Sequence, residues 1–157
     1  MLKVPNQVLW RDATTLPLRL VIGYGFMVHG WAKLSLGPAG FAKLLDQIGA
    51  PLPELTAWVS TLIELFGGLA ILAGAFVAVV SVPLIVMMLV AMFTVHLRYG
   101  FSAINTIGLT ADGPQFGPPG YEVNLLYIAG LLALILAGAG PFSIDRLRAQ
   151  PKAGAIA

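Results

Sequence analysis

Ionisable side chains interrupt the long apolar stretches of this chain, and they are the residues best suited to chemistry. Glu64 lies deepest in its stretch. An ionisable group inside a hydrocarbon environment is costly, so it usually marks a binding site, a proton path or an ion path. Histidine, lysine and carboxylate groups can hydrogen-bond a small polar ligand and exchange protons with it. The remaining candidates are Arg19, His29, Lys33, His96, Arg98 and Glu122.

Composition indicates the environment of these residues. Of the 157 residues, 58% are hydrophobic and only 10% are charged, whereas soluble domains carry about 25% charged residues. The chain is therefore predicted to be an all-α integral membrane protein that forms one domain over residues 1–157. Its nine Lys and Arg residues form no basic stripe, which excludes a nucleic-acid partner. Cysteine is absent, so disulfides and thiolate metal ligands are excluded.

Four apolar stretches are long enough to cross a hydrocarbon core of ~30 Å as helices. They cover residues 16–36, 55–75, 78–98 and 121–140 and predict a bundle of four transmembrane helices. Residues 38–49 predict a short amphipathic helix at the outer interface, because apolar and charged residues fall on opposite faces. Residues 99–120 predict a long outer loop rich in Gly and Pro.

Basic residues near the ends of the apolar stretches predict the orientation. Lys3 and Arg11 precede the first stretch, and Arg146, Arg148 and Lys152 follow the last one. Cytoplasmic flanks are enriched in Lys and Arg, so both termini are predicted to be cytoplasmic. Arg19 is interpreted as one more flanking charge at the inner end of the first helix. Ser60, Glu64 and Gly68 recur every fourth residue, as do Ala129, Ala133 and Ala137, and each set predicts a helix contact.

With this orientation, the candidate polar residues are predicted to lie mostly in the outer half of the bundle. His29 and Lys33 share one face of the first helix, so a pocket that opens outward above Glu64 is a reasonable hypothesis. Structural interpretations stay open beside it: Glu64 in an ion pair or protonated, and His29 in an interhelical hydrogen bond. Lys33, Arg98 and Glu122 are also candidates for interfacial anchors.

Several metal and cofactor sites are disfavoured by spacing. A di-iron bundle needs paired Glu-x-x-His motifs, and neither His29 nor His96 has a carboxylate at that distance. The two histidines are expected at depths that differ by about two helical turns, which disfavours a shared haem. No metal ligand set is predicted, the cofactor stays unassigned, and a quinone is the ligand class considered.

Longer motifs in the chain resemble the DoxX family. They are Arg19 to Gly23 with Phe26, His29-Gly-Trp-Ala-Lys33-Leu, Glu64-Leu-Phe-Gly-Gly68 and Gly74; Tyr121-Glu122 and Gly140-Pro-Phe-Ser-Ile-Asp145 complete the set. The resemblance covers about residues 16–147 and implies a four-helix protein of the bacterial inner membrane. Some relatives are subunits of membrane oxidoreductases, including thiosulfate:quinone oxidoreductase. Relatives often carry a Thr-Arg pair after the second helix, which Phe76-Val-Ala-Val replaces here.

The leading hypothesis is a membrane subunit of an oxidoreductase system that handles a quinone or a small reduced substrate near the outer leaflet. Glu64 and His29 are the predicted catalytic residues, with Glu64 relaying protons. Lys33, His96, Arg98 and Glu122 are the predicted ligand-binding set, in which Glu122 orients Lys33 or Arg98. The expected partners are the lipid bilayer and either an oxidoreductase subunit or further copies of the chain. A structural subunit and a small-solute transporter are the alternatives.

Overall fold

The computed structural model describes residues 13–149, which are predominantly helical. The predicted topology signals Lys3, Arg11 and Lys152 lie outside these residues. In chain order the helices are α1 (Thr15–Leu36), α2 (Pro38–Gln47), α3 (Pro53–Ala73), α4 (Val77–Ala91), α5 (Glu122–Ala137) and α6 (Ile144–Ala149). A π-helical turn (Met92–His96) and a 3-10 turn (Leu97–Tyr99) extend α4, and the strands β1 (Thr106–Thr110) and β2 (Gly113–Phe116) follow.

The four long helices lie where the sequence predicted membrane spans. Two segments, Pro53–Ala73 and Val77–Tyr99, are long and apolar enough to cross a membrane. Helix α5 is apolar but shorter, and it ends at Ala137, before the predicted boundary. The reason is Gly138, which has a φ of 78° and closes the helix by donating its N–H to Leu134 O. Helix α2 confirms the short helix predicted at 38–49.

The long helices pack side by side, so that α1 and α4 each contact both α3 and α5. Their shared core includes Phe26, Ile71, Leu84 and Leu131, all fully buried. Large apolar side chains also cover the outside of the helices. They include Val21, Val79, Phe93, Leu126 and Leu136, each more than half exposed. An apolar exterior around a packed core is the surface expected of helices that face lipid.

Glycines bring α1 and α3 into close contact. A Cβ atom added to Gly30 would lie 2.7 Å from Leu65 N, and one added to Gly68 would lie 2.6 Å from Gly23 O. Only residues without a side chain permit backbones to approach so closely. The predicted contact stripe of Ser60, Glu64 and Gly68 is confirmed, because all three are buried.

The second predicted stripe is wrong, since Ala129 and Ala137 are exposed. Helix α5 instead turns Gly130, Leu131 and Leu134 inward. Alanine spacing alone does not show which side of an almost uniformly apolar helix faces its neighbours.

At one end of the bundle the start of α1 meets the α3–α4 turn and the segment after α5; we call this the Arg19 end. Arg19 is only 1% exposed, so its interpretation as a flanking surface charge is wrong. All five of its N–H groups donate to backbone carbonyls at distances of 2.8 to 3.2 Å. The acceptors are Ile71, Leu72, Ala139, Pro141 and Phe142.

Two further polar residues complete the Arg19 end. The carboxylate of Asp145 accepts hydrogen bonds from the N–H groups of Phe76 and Val77, at 2.7 and 2.9 Å, and so caps the start of α4. Ser143 Oγ accepts the Arg146 N–H at 3.2 Å and so caps the start of α6. Gly74 ends α3 with a φ of 66°, and a side chain there would overlap both Arg19 and Ser143.

At the opposite end, which we call the loop end, lie α2 and residues 99–121. The long loop predicted there contains an unpredicted antiparallel hairpin in which β1 pairs with β2. Thr110 pairs with Gly113 across the turn, and the φ of Gly113 is 121°, a conformation that favours glycine. Backbone hydrogen bonds from Gly120 and Tyr121 to Ser102 and Gly100 close the base of this loop.

Candidate functional site

An ion pair joins α1 to the middle of α3. Lys33 Nζ lies 2.6 Å from Glu64 Oε1, and the glutamate side chain is 4% exposed. Glycine contacts between the two helices bring these positions within reach of one another. A buried carboxylate is stabilised by a cation at hydrogen-bonding distance. The structure therefore brings together the two candidates that the sequence placed in one outward-facing site.

The second oxygen of this carboxylate is unsatisfied. Glu64 Oε2 is buried and has no hydrogen-bond partner within residues 13–149. Burying an acceptor without a partner is unfavourable, and native structures contain few such groups. The free oxygen can accept a proton or a hydrogen bond from a ligand, which makes the pair chemically competent as well as structural.

Lys33 connects this pair to the loop end. Its side chain is 21% exposed, and its ammonium lies 4.8 Å from the centre of the Phe41 ring on α2. A cation over an aromatic face is attracted by the negative charge density of the ring. Phe41 and Glu64 thus hold Lys33 from two sides, whereas the sequence alone left open that Lys33 extends to the membrane surface.

His29 is one helical turn before Lys33, but it has a different neighbour. Its exposed ring stacks on Tyr127 of α5, with ring centres 6.2 Å apart and planes inclined by 22°. Tyr127 also makes an edge contact with Phe26 at 5.2 Å. Between residues 13 and 149 the His29 side chain makes no hydrogen bond, so it is not hydrogen-bonded to the Lys33–Glu64 pair.

The remaining predicted ligand-binding residues hold the loop end in place. His96 Nδ1 lies 3.0 Å from Pro119 O, and Arg98 packs on the ring of Tyr99 at 4.9 Å. Glu122 accepts the Ala103 N–H at 2.8 Å. The prediction that Glu122 orients Lys33 or Arg98 is wrong, because the start of α5 directs its carboxylate toward the loop backbone.

Sequence reasoning missed three side chains around the site. The ring of Tyr127 stacks on His29, and the ring of Phe41 contacts the Lys33 ammonium. Asn124 is buried, with its amide 3.4 Å from Met88 O on α4. The available signal was the presence of Tyr127 and Asn124 within an apolar stretch, where polar groups are rare.

The ion pair lies outside two grooves on the surface of the protein. One groove of about 620 Å³ lies between α2 and the first turn of α3, and another of about 550 Å³ lies beside Tyr127. Neither is lined by Glu64. In the part of the chain that the structure describes, no three His, Asp or Glu side chains are close enough to hold a metal ion.

Several known proteins have sequences similar to this chain. CatD of Bacillus subtilis (strain 168), named "Putative oxidoreductase CatD", is 36% identical over 87 residues, which are 55% of this chain and 63% of CatD. The match thus spans less than two thirds of that relative. "Inner membrane protein YqjF" of Escherichia coli (strain K12) is 28% identical over 136 residues, 87% of this chain and 92% of YqjF. A protein of Mycobacterium tuberculosis (strain ATCC 25618 / H37Rv) named as a membrane protein is 29% identical over 134 residues, covering 82% and 77% of the two chains.

No solved structure matches this chain. The family model described as DoxX matches residues 14–97, more than half of the sequence, from the start of α1 through the π-helical turn that extends α4. That region contains Arg19, the Lys33–Glu64 pair and the glycine contacts between α1 and α3. The chain belongs to the DoxX family.

Proposed function

We propose that this protein is a membrane subunit of an oxidoreductase system that binds a quinone or a small reduced substrate, with Glu64 transferring protons. The observation that carries the proposal is the free, buried Oε2 of Glu64 beside the Lys33 ammonium. Lys33 binds one oxygen of the carboxylate, and the free oxygen takes up a proton and passes it to the reduced ligand. The name of the relative CatD, an oxidoreductase, supports the same class of activity.

We assign the proton transfers to this chain and the electron transfer to a partner subunit. Reduction of a quinone to a quinol takes up two electrons and two protons. Glu64 and His29 are suited to relay these protons, because each has an acceptor atom without a hydrogen bond in the structure of residues 13–149, which can take up a proton and pass it to the reduced quinone. The electrons come from a redox group on a partner subunit, since this chain has no cysteine and no dinucleotide or phosphate-binding fingerprint.

The proposal includes an arrangement in the membrane. Helices α1, α3, α4 and α5 form one transmembrane domain in the bacterial inner membrane, as the name of YqjF suggests. The Arg19 end, with Arg146 and Arg148 exposed on α6, faces the cytoplasm, so both termini lie there. The Lys33–Glu64 pair is then nearer the outer leaflet, and α2 lies along the outer interface.

The test compares two glutamates on the same helix. The complex is purified from its native host in mild detergent, and electron transfer from its own donor to decylubiquinone is measured. Glu64→Gln keeps the size of the side chain but removes proton transfer, so the rate is expected to fall about 100-fold or more. Glu54→Gln is the matched control, because Glu54 is exposed in the first turn of α3, and its rate should stay unchanged.

A wild-type rate in the Glu64→Gln complex would refute the proposed role. If the variant instead prevents the complex from assembling while surviving complexes keep full activity, the pair serves as a structural contact and the chain is an assembly subunit. Flux of a small solute into liposomes that depends on Glu64, without quinone-linked activity, would indicate the transport alternative.

A further inference from the structure

A groove on the outside of the helices lies where α1, α3 and α5 meet. Its volume of about 550 Å³ is within the range of small-molecule sites. Several of its side chains belong to the apolar exterior, since Val21 is 68% exposed and Leu20 is 51% exposed. A molecule dissolved in the bilayer can therefore enter it sideways. The lining residues are Leu20, Val21, Tyr24, Gly25, Leu72 and Tyr127.

Two phenols, those of Tyr24 and Tyr127, lie in this apolar lining, and Tyr127 is the one whose ring packs against neighbouring rings. The hydroxyl of Tyr127 makes no hydrogen bond within residues 13–149, although its ring is fixed by Phe26 and His29. A phenol in an apolar site usually finds a partner, because an unmade hydrogen bond is unfavourable. Tyr127 is therefore positioned to donate to an acceptor that enters the groove.

Gly25 makes room for this hydroxyl. A Cβ atom on Gly25 would overlap Tyr127 Oη, so a residue with a side chain would force the phenol out of its position. Gly25 lies one turn before His29 on the same face of α1. Gly25, His29 and Tyr127 thus form one continuous surface with a planar ring, an unbonded imidazole and a free hydroxyl.

We propose that this groove is the binding site for the head of an isoprenoid quinone, with Tyr127 Oη donating to a quinone carbonyl. The inference rests on the proposed function through His29, which stacks on the Tyr127 ring that lines the groove, whereas Glu64 does not line it. A quinone ring is planar and carries carbonyl acceptors, which suits the stacked rings of His29 and Tyr127. Its apolar chain suits Leu20, Val21 and Leu72. A phospholipid acyl chain fits the apolar lining but offers no acceptor to the hydroxyl.

The experiment uses the full-length protein in phosphatidylcholine nanodiscs. A photoreactive azido-quinone labels the site, labelled peptides are mapped by mass spectrometry, and affinity is measured by competition with decylubiquinone. Labelling is expected on the α1 segment 20–29 and on α5 around Tyr127. Tyr127→Phe removes one hydrogen bond and should weaken decylubiquinone about two- to twelvefold. Tyr121→Phe is the matched control, because its hydroxyl also makes no hydrogen bond within residues 13–149, and its affinity should not change.

Gly25→Ala places a methyl group on the α1 wall of the groove, against the Tyr127 hydroxyl. It is expected to weaken binding at least as much as Tyr127→Phe. If it prevents folding, Tyr127→Phe still decides the question, because it changes a single hydroxyl. Wild-type affinity in Tyr127→Phe, with labelling around Lys33 and Glu64, would overturn this site but leave the proposed function intact. No displaceable labelling of the wild type would overturn the site and the quinone ligand together, whereas the Glu64→Gln rate tests proton transfer separately.

Discussion

Removal of the Arg19 side chain is expected to destabilise the protein more than any loss of a surface charge. Arg19→Met keeps an apolar side chain of similar length but deletes five hydrogen bonds to backbone carbonyls. At about 1 kcal/mol of net stability for each bond, the loss is about 5 kcal/mol. The whole free energy of unfolding of a typical domain is only about 5–15 kcal/mol.

The assay is unfolding in mixed micelles of dodecyl maltoside and sodium dodecyl sulfate, followed by far-ultraviolet circular dichroism. Arg98→Met is the matched control, because Arg98 is exposed and contacts the Tyr99 ring; it should lose only about 0.5–1 kcal/mol. Arg19→Lys keeps the charge but not the five-donor fork, so an intermediate loss of about 2–3 kcal/mol is expected. If Arg19→Met is as stable as Arg98→Met, the hydrogen-bond reasoning is refuted.

Three further perturbations test other parts of the structure. Lys33→Met leaves a buried carboxylate without its cation and should lower the free energy of unfolding by about 3–5 kcal/mol, whereas the double variant Lys33→Met/Glu64→Met should recover most of that loss. Additive losses in this cycle would contradict the pair. Asp145→Ala removes the cap of α4 and should lose about 1–2 kcal/mol, while Asp112→Ala in the exposed hairpin turn should melt like the wild type. Gly74→Ala puts a methyl group against Arg19 and Ser143 at a φ of 66°, so folded protein should fall sharply in size-exclusion chromatography; a wild-type yield would contradict the packing described there.

Local patterns explain what could be predicted. Helix positions follow from apolar length and from breakers such as Gly37 and Gly74. The inward direction of Glu64 follows from the small residues one turn away on either side. Each of these depends on residues close together in the chain, where helical periodicity fixes the geometry.

Those local patterns could not predict which side chains pair across different helices. Lys33 had two favourable options in the sequence, an interfacial position or a buried partner, and the choice depends on how closely α1 approaches α3. His29 was expected above Glu64, yet its ring stacks on Tyr127 of α5. Glu122 was expected to face a cation, but its carboxylate instead accepts a hydrogen bond from the backbone of the loop.

The sequence by itself determined the family, the apolar helices and the presence of a carboxylate inside one of them. Tertiary structure decided that Lys33 pairs with this carboxylate, that one of its oxygens has no hydrogen-bond partner within residues 13–149, and that Arg19 is buried among five carbonyls instead of lying at the surface. The physical reason is that hydropathy reports how much of a segment is apolar, but it does not report the order or rotation of the helices. Contacts between residues 31 to 124 positions apart depend on that arrangement.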